Sequence, residues 1–228
     1  MTSRTNARIA GVAYLLYIAV AYPAMMLSDR ATRGDGMAAK LASMASHTTD
    51  VRVAAVLSLL GCFCALVLAG TLYAITRDQD RDLAMLGLTC RVAEGVTGAA
   101  SIPTTLGLLA IVTAGGANAP DAAAARALGT FVLAQPWLVG ATFFAVGSTL
   151  FSWLLLRGRM VPIWLAWLGV IGSALTVVAL PLQLLEVLRG LPTQLIWIPV
   201  AVFELVLAGW LIVKGVATPQ GSHEQPAS

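Results

Sequence analysis

The sequence predicts an all-α fold: a polytopic membrane protein built as a six-helix transmembrane bundle. Of its 228 residues 58% are hydrophobic, and only 11% are charged. Soluble domains carry about 25% charged residues, so a soluble protein of this composition would lack the charges that its surface needs. The third observation is that the apolar residues fall into six long runs with few or no charges.

Each of the six runs has the length of about 20 apolar residues that a spanning helix requires. The predicted spans cover residues 9–27, 53–76, 83–113, 130–156, 161–185 and 195–213. The fourth belongs to an uncharged run that begins at residue 127, and Gln135-Pro136 is expected to break or kink that run. The spans form a single transmembrane domain over residues 1–228, with a short disordered tail at 216–228.

Two connecting segments have helical signals of their own. In the polar segment 28–50, Met37, Leu41 and Met44 recur at helical spacing, which predicts a short helix along the membrane surface. Asp121 follows a Gly/Ala/Pro loop and is expected to cap the fourth helix.

An even number of spans places both termini on the same side of the membrane. Short basic flanks mark that side: Arg4 and Arg8 precede the first span, Arg157 and Arg159 form a hairpin, and Lys214 follows the last span. Because positive charges favour the cytoplasmic side, we expect a multi-pass protein of the inner (plasma) membrane with both termini in the cytoplasm.

The composition also limits cofactors and partners. The only histidines, His47 and His223, lie in a loop and in the tail, which argues against intramembrane haem, and Lys40 and Lys214 lie too far from mid-membrane for a retinal Schiff base. No zinc spacing, phosphate loop or basic stretch interleaved with aromatic residues is present. We therefore expect no metal, no cofactor and no nucleic acid; the lipid bilayer is the expected partner, and the sequence does not specify an oligomeric state.

Three ionisable residues interrupt the spans. Glu204 has nine span residues on each side and so lies near the bilayer midplane, where a charge costs a few kcal/mol and should face the bundle interior. Arg91 and Glu94, in "GLTCRVAEGVTG", share one face of the third span because they are three residues apart. We expect all three to form a cluster between the third and sixth spans, and to be the candidate ligand or proton site.

The face of Arg91 and Glu94 continues along the third span with small and hydroxyl-bearing residues. Such a stripe is expected to face other helices, because small residues allow close approach and hydroxyls can form hydrogen bonds across the contact. It consists of Thr97, Gly98, Ser101, Thr104 and Thr105. Gln183 and Glu186, near Arg189 at the end of the fifth span, are weaker site candidates, and a local cap or surface cluster is the favoured interpretation of them.

Four stretches, taken in order, resemble a bacterial integral membrane family catalogued as domain of unknown function 4386. They are "ARIAGVAYLLYIAVAYPAM", "CRVAEGV", "FFAVGSTLFSWLLLRGRMVPIWLAWLGVIG" and "FELVLAGWLIVKG", and the likeness extends over residues 7–215. The resemblance implies that Arg91, Glu94 and Glu204 match polar intramembrane positions of the family, and that Gly158 and Pro162 match its turn. It implies an integral membrane protein and no particular activity.

Three kinds of function are compatible with these residues. A non-enzymatic structural or regulatory bundle, in which the charged cluster fixes helix packing, is favoured. The alternative is a small-solute or proton-coupled transporter whose carboxylates, Glu204 and Glu94, bind a proton, a cation or an amine, although no internal repeat is apparent. The third is a membrane-embedded lipid-modifying enzyme that uses two carboxylates as acid and base, without a visible catalytic histidine or nucleophile.

Overall fold

Helices account for all the regular secondary structure that the computed structural model describes, which covers residues 2–115, 121–133 and 137–217. Six helical stretches are long and apolar enough to cross a membrane. The predicted all-α, six-span fold is therefore confirmed. In chain order the helices are α1 (Ser3–Ala31), α2 (Met37–Ser46), α3 (Thr48–Thr76), α4 (Arg81–Thr113), α5 (Ala122–Leu133), α6 (Trp137–Arg157), α7 (Ile163–Leu184), α8 (Pro192–Leu195) and α9 (Trp197–Val213).

Several helix starts are fixed by side chains that cap free backbone N–H groups. The Asp80 carboxylate accepts from the Leu83 N–H at 3.1 Å and starts α4, and Asp121 accepts from the Ala124 N–H at 2.7 Å. The expected cap at Asp121 is present, at the start of α5. The short helix predicted around Leu41 is present as α2.

Some predictions concern residues or boundaries on which the structure gives no information. The expected break at Gln135-Pro136 and residues 218–228 of the expected tail lie outside the described residues. The helix bounds also do not show which part of each helix lies in the bilayer, so the predicted span limits stay predictions.

The long helices form a ring in chain order. α1 packs against α3, α3 against α4, α4 against α6, α6 against α7 and α7 against α9, and α9 packs back on α1. The last contact is close, because a Cβ atom on Gly11 of α1 would lie 2.7 Å from the Ala208 carbonyl oxygen of α9. The first and last spans are therefore neighbours.

One end of the ring holds both ends of the described chain, and we call it the terminal face. Here the position of a Cβ on Gly215 is 3.6 Å from Arg4 Cγ, and Arg157 forms an ion pair with Asp80 at 3.2 Å between the two turns of this face. The opposite end holds α2 and α5, which pack together, and we call it the α2/α5 face.

The interior of the ring is filled differently in its two halves. Toward the terminal face, apolar side chains from all six long helices form one packed core. This core includes Ala10, Tyr14, Leu68, Leu72, Ala84, Phe151, Leu154, Leu165, Leu207 and Leu211. Toward the α2/α5 face, small side chains leave space between α1, α3, α4, α6 and α9, and Glu94 and Glu204 border that space.

Candidate intramembrane binding site

Arg91 and Glu94 form an ion pair within α4. Arg91 Nη1 lies 2.9 Å from Glu94 Oε2. The guanidinium is fully buried, and Glu94 is 8% exposed. The guanidinium N–H groups do not meet hydrogen-bond geometry with any described residue, so this contact is an ion pair without the aligned hydrogen bonds of a bidentate arginine–carboxylate pair.

Aromatic side chains from two other helices surround this ion pair. The Tyr17 hydroxyl of α1 donates a hydrogen bond of 2.9 Å to Glu94 Oε1. Arg91 Cζ lies 4.8 Å from the centroid of the Phe144 ring of α6 and 5.9 Å from that of Tyr17, within the range of about 6 Å for cation–π attraction. The pair therefore joins α1, α4 and α6 and is shielded from lipid.

A glycine gives the arginine its space. A Cβ atom on Gly147 of α6 would lie 3.1 Å from Arg91 Cγ and 3.2 Å from its Cδ. The absence of a side chain at this position lets α6 pack directly against the aliphatic part of Arg91.

Glu204 faces the interior of the ring from α9 and is 6% exposed. Its charge lies within electrostatic range of Arg91 and Glu94, so the structure brings the three predicted residues together. Oε1 of Glu204 is buried and has no hydrogen-bond partner in the described part of the chain. The two carboxylates thus differ, because Glu94 contacts Tyr17 with one oxygen and Arg91 with the other.

A cavity of about 720 Å³, the intramembrane cavity, lies beside the cluster. Tyr17, Glu94 and Glu204 line it, and along their helices they are among the lining residues nearest to the terminal face. At its other end it is lined by Met25 and Trp137, which are 54% and 49% exposed. The cavity therefore extends from the polar cluster to the outside of the described bundle in the half near the α2/α5 face.

The hydroxyl stripe of α4 borders the intramembrane cavity. Thr97, Ser101 and Thr105 line the cavity, and their hydroxyls donate to the carbonyls of Ala93, Gly98 and Ser101 in the same helix, at 2.8, 2.7 and 3.0 Å. The stripe faces α3 and α6 as expected, with Gly98 against Cys62 and Thr97 against Gly140. Among the described residues these three hydroxyls form no hydrogen bond to another helix, because the carbonyls three and four residues back are the nearest acceptors. Gly98 also lines the cavity, whereas Thr104 is exposed outside it.

The weaker candidates lie apart from this cluster. Glu186 forms an ion pair with Arg189, and both side chains are more than 70% exposed. Gln183 is half-buried near the end of α7, and neither Gln183 nor Glu186 lines the intramembrane cavity.

The sequence also contains a feature that indicates a polar contact at Tyr17. Tyr14 and Tyr17 lie three residues apart near the middle of the first span, whereas tyrosines of membrane helices are enriched at the interfaces. Two tyrosines at mid-membrane indicate a polar partner inside the bundle. Phe144 and Gly147 give no such signal, because phenylalanine and glycine are ordinary packing residues of membrane helices.

A family model described as "Domain of unknown function (DUF4386)" matches residues 9–215, which include all six predicted spans and the polar cluster. The chain belongs to this family. No curated protein and no solved structure matches it. Family and fold together identify a multi-pass membrane protein in contact with the lipid bilayer. Within residues 2–115, 121–133 and 137–217, no group of three histidine, cysteine or acidic side chains is placed to hold a metal ion. The DUF4386 family name states no activity.

Proposed function

We propose that this DUF4386 protein is a small-solute transporter that takes its ligand into the intramembrane cavity. The observation that supports the proposal best is the cavity itself, about 720 Å³ beside two buried carboxylates. Ligand pockets measure about 300–1,000 Å³ and are mostly apolar with a few polar groups, and this cavity fits both descriptions. A bundle with a purely structural role gains nothing from such a space, because unfilled volume costs packing energy.

The distribution of packing along the ring is a second argument for transport. The half near the terminal face is closely packed, and the half near the α2/α5 face contains the cavity. A protein that works by alternating access has one half closed while the other is accessible. We further propose that the protein lies in the plasma membrane with both termini in the cytoplasm, which would place the accessible half on the outer side.

The native cysteines allow a direct test of access. Cys62 lines the cavity, whereas Cys64, two residues further along α3, does not. In a variant that keeps only Cys62 (Cys64→Ser, Cys90→Ser), N-ethylmaleimide should react several-fold faster than in the matched variant that keeps only Cys64. Equal and slow reaction of both thiols would show that small molecules do not enter the cavity and would contradict the proposal.

Transport also requires the packed half to open. Ala10 is fully buried in the core near the terminal face. In a cysteine-free background, Ala10→Cys should react with N-ethylmaleimide slowly but measurably in membranes, because the closed half must open once in each cycle. A thiol at this position that never reacts would favour a binding protein that does not transport.

A structural or regulatory bundle remains the second candidate function, and the enclosure of Arg91 favours it. The guanidinium is covered by Tyr17 and Phe144 and paired with Glu94, as expected of a group that fixes the packing of three helices. On this proposal Arg91→Gln would lower the yield of folded protein, and Cys62 would be no more reactive than Cys64.

A further inference from the structure

The polar cluster at the cavity carries more negative than positive charge. It contains Arg91, Glu94 and Glu204, so with all three ionised its net charge is −1. Buried charges in membrane proteins need partners. Among the described residues Arg91 forms its ion pair with Glu94 and not with Glu204, which leaves Glu204 available to a further cation.

The carboxylates, and not the arginine, border the cavity. Glu94 and Glu204 are among the lining residues, whereas Arg91 lies behind them with its guanidinium against the rings of Tyr17 and Phe144. A molecule in the cavity therefore meets acceptor oxygens. Glu204 is the carboxylate left for a ligand, since it has no hydrogen bond or ion pair among the described residues, whereas both oxygens of Glu94 already have contacts within the protein.

An apolar, aromatic wall extends away from Glu204 along α9. Trp197, Ala201 and Glu204 follow one another at intervals of four and three residues, share one face of the helix and all line the cavity. Seven residues correspond to about 10 Å along the helix axis. The centroid of the Trp197 ring lies 6.4 Å from that of Trp137 and 6.1 Å from that of Phe144. Both of these side chains also line the cavity.

We propose that the ligand is an amphipathic organic cation; this inference rests on the transport function proposed above. Its ammonium group pairs with Glu204, and its apolar body lies against Ala201 and the aromatic wall formed by Trp197, Trp137 and Phe144. The ammonium donates to the Glu204 carboxylate, and the apolar body leaves water for an apolar surface.

The same geometry argues against other classes of ligand. An anion would meet the oxygens of Glu94 and Glu204 without access to Arg91. A bare metal ion such as Ca²⁺ takes six to eight oxygen ligands. That is more than two carboxylates can offer, one of which already contacts Arg91 and Tyr17, and a metal ion would leave the apolar wall without a function.

A pair of probes that differ only in charge tests this proposal. The full chain with Cys62 as its only cysteine is alkylated with N-ethylmaleimide in detergent micelles, in the presence of 1-naphthylmethylamine or of the uncharged 1-naphthylmethanol. The amine should protect Cys62 at a concentration about tenfold or more below that of the alcohol, as expected for a hydrogen bond to a charged group.

Two variants locate the effect. Glu204→Gln should remove the preference for the amine, with little change for the alcohol. Glu186→Gln, an exposed carboxylate outside the cavity, should leave the preference unchanged. Equal protection by the two probes in the parent, or an undiminished preference in Glu204→Gln, would overturn the organic-cation proposal while leaving a functional cavity; an unreactive Cys62 would instead overturn the proposed function itself.

A second measurement needs no substitution at residue 204. Cationic 2-aminoethyl and anionic 2-sulfonatoethyl methanethiosulfonate react with Cys62, and each rate is divided by the rate of the same reagent with a free thiol in solution. The normalised rate should favour the cation at Cys62 and show no preference at Cys64. The same ratio at both cysteines would overturn the cationic class of ligand.

Discussion

At Glu94 and Glu204 the protein places the same side chain in two different environments. Glu94 is held by Tyr17 and Arg91, whereas Glu204 has an oxygen with no partner among the described residues. Since an unmade hydrogen bond of a buried polar group is costly, we propose that Glu94 has a structural role and that Glu204 binds a ligand or a proton.

Removal of one hydroxyl tests the structural assignment of Glu94. Tyr17→Phe deletes the donor to Glu94 Oε1 and leaves the ring against Arg91, so we expect a loss of about 1–2 kcal/mol in the free energy of unfolding. The measurement is unfolding by SDS in mixed micelles. Tyr22→Phe is the matched control, because Tyr22 lies on the same helix and is 60% exposed; equal stability of the two variants would contradict the assignment.

The sequence predicted only part of this cluster. The spacing of Arg91 and Glu94 was sufficient, because residues three apart on a helix are neighbours whatever the fold. Glu204 was predicted to face inward because of the high cost of a charge in lipid. Tyr17 and Phe144 were missed, because their contacts join separate helices and Tyr17 and Glu94 are 77 residues apart.

Helices α1 and α9 show how small residues set the spacing between elements. Gly11 lies so close to the α9 backbone that its own Cβ would lie 2.7 Å from the Ala208 carbonyl oxygen. A backbone atom cannot move aside as a flexible side chain can. The contact that closes the ring therefore depends on the absence of a side chain at this position.

Gly11→Ala should destabilise the bundle by about 1–3 kcal/mol, as overpacked cores do. Gly70→Ala on α3 is the matched control: a Cβ there would have no neighbour within 4 Å, and alanine favours the helix by up to about 1 kcal/mol. SDS unfolding of both variants measures the difference. A Gly11→Ala protein as stable as Gly70→Ala would show that α1 and α9 pack less closely than described.

Hydropathy and length were enough to predict the membrane helices, because a spanning segment is defined by its own composition. The fourth apolar run was harder to interpret. Its residues 127–133 belong to the short helix α5, which packs on α2 through Gly129, where a Cβ would lie 2.9 Å from Leu41 Cδ2 and Met37 Sδ. Composition could not predict this packing, because it depends on a contact between two separate helices.

For the molecule as a whole, the ring of six helices divides into a packed half and a half with a cavity. Neither half could be predicted from the sequence, because the space inside a bundle depends on the separation of the helices and not on their composition. Alanine and glycine occur both at tight contacts between helices and around the cavity, so residue type alone does not show where a void will form.

The orientation of the protein in the membrane can be measured with reporter fusions. With both termini in the cytoplasm, alkaline phosphatase fused after Lys214 should be inactive and a fluorescent protein there should fold, because basic flanks are retained on that side. Phosphatase inserted after Gly190, on the α2/α5 face, should be active. The reverse pattern would mean that the cavity is accessible from the cytoplasm.

The contact between α1 and α9 also has a consequence for biogenesis. Helices enter the bilayer in the order in which the ribosome delivers them, and until α9 arrives the other five long helices form an incomplete arc whose gap is exposed to lipid. Arg91 and Glu94 can remain in the bilayer before α9 is inserted, because they lie on the same helix and form an ion pair with each other. The final segment both seals the arc and introduces the third ionisable group, so the pocket is completed only when synthesis has passed Val213.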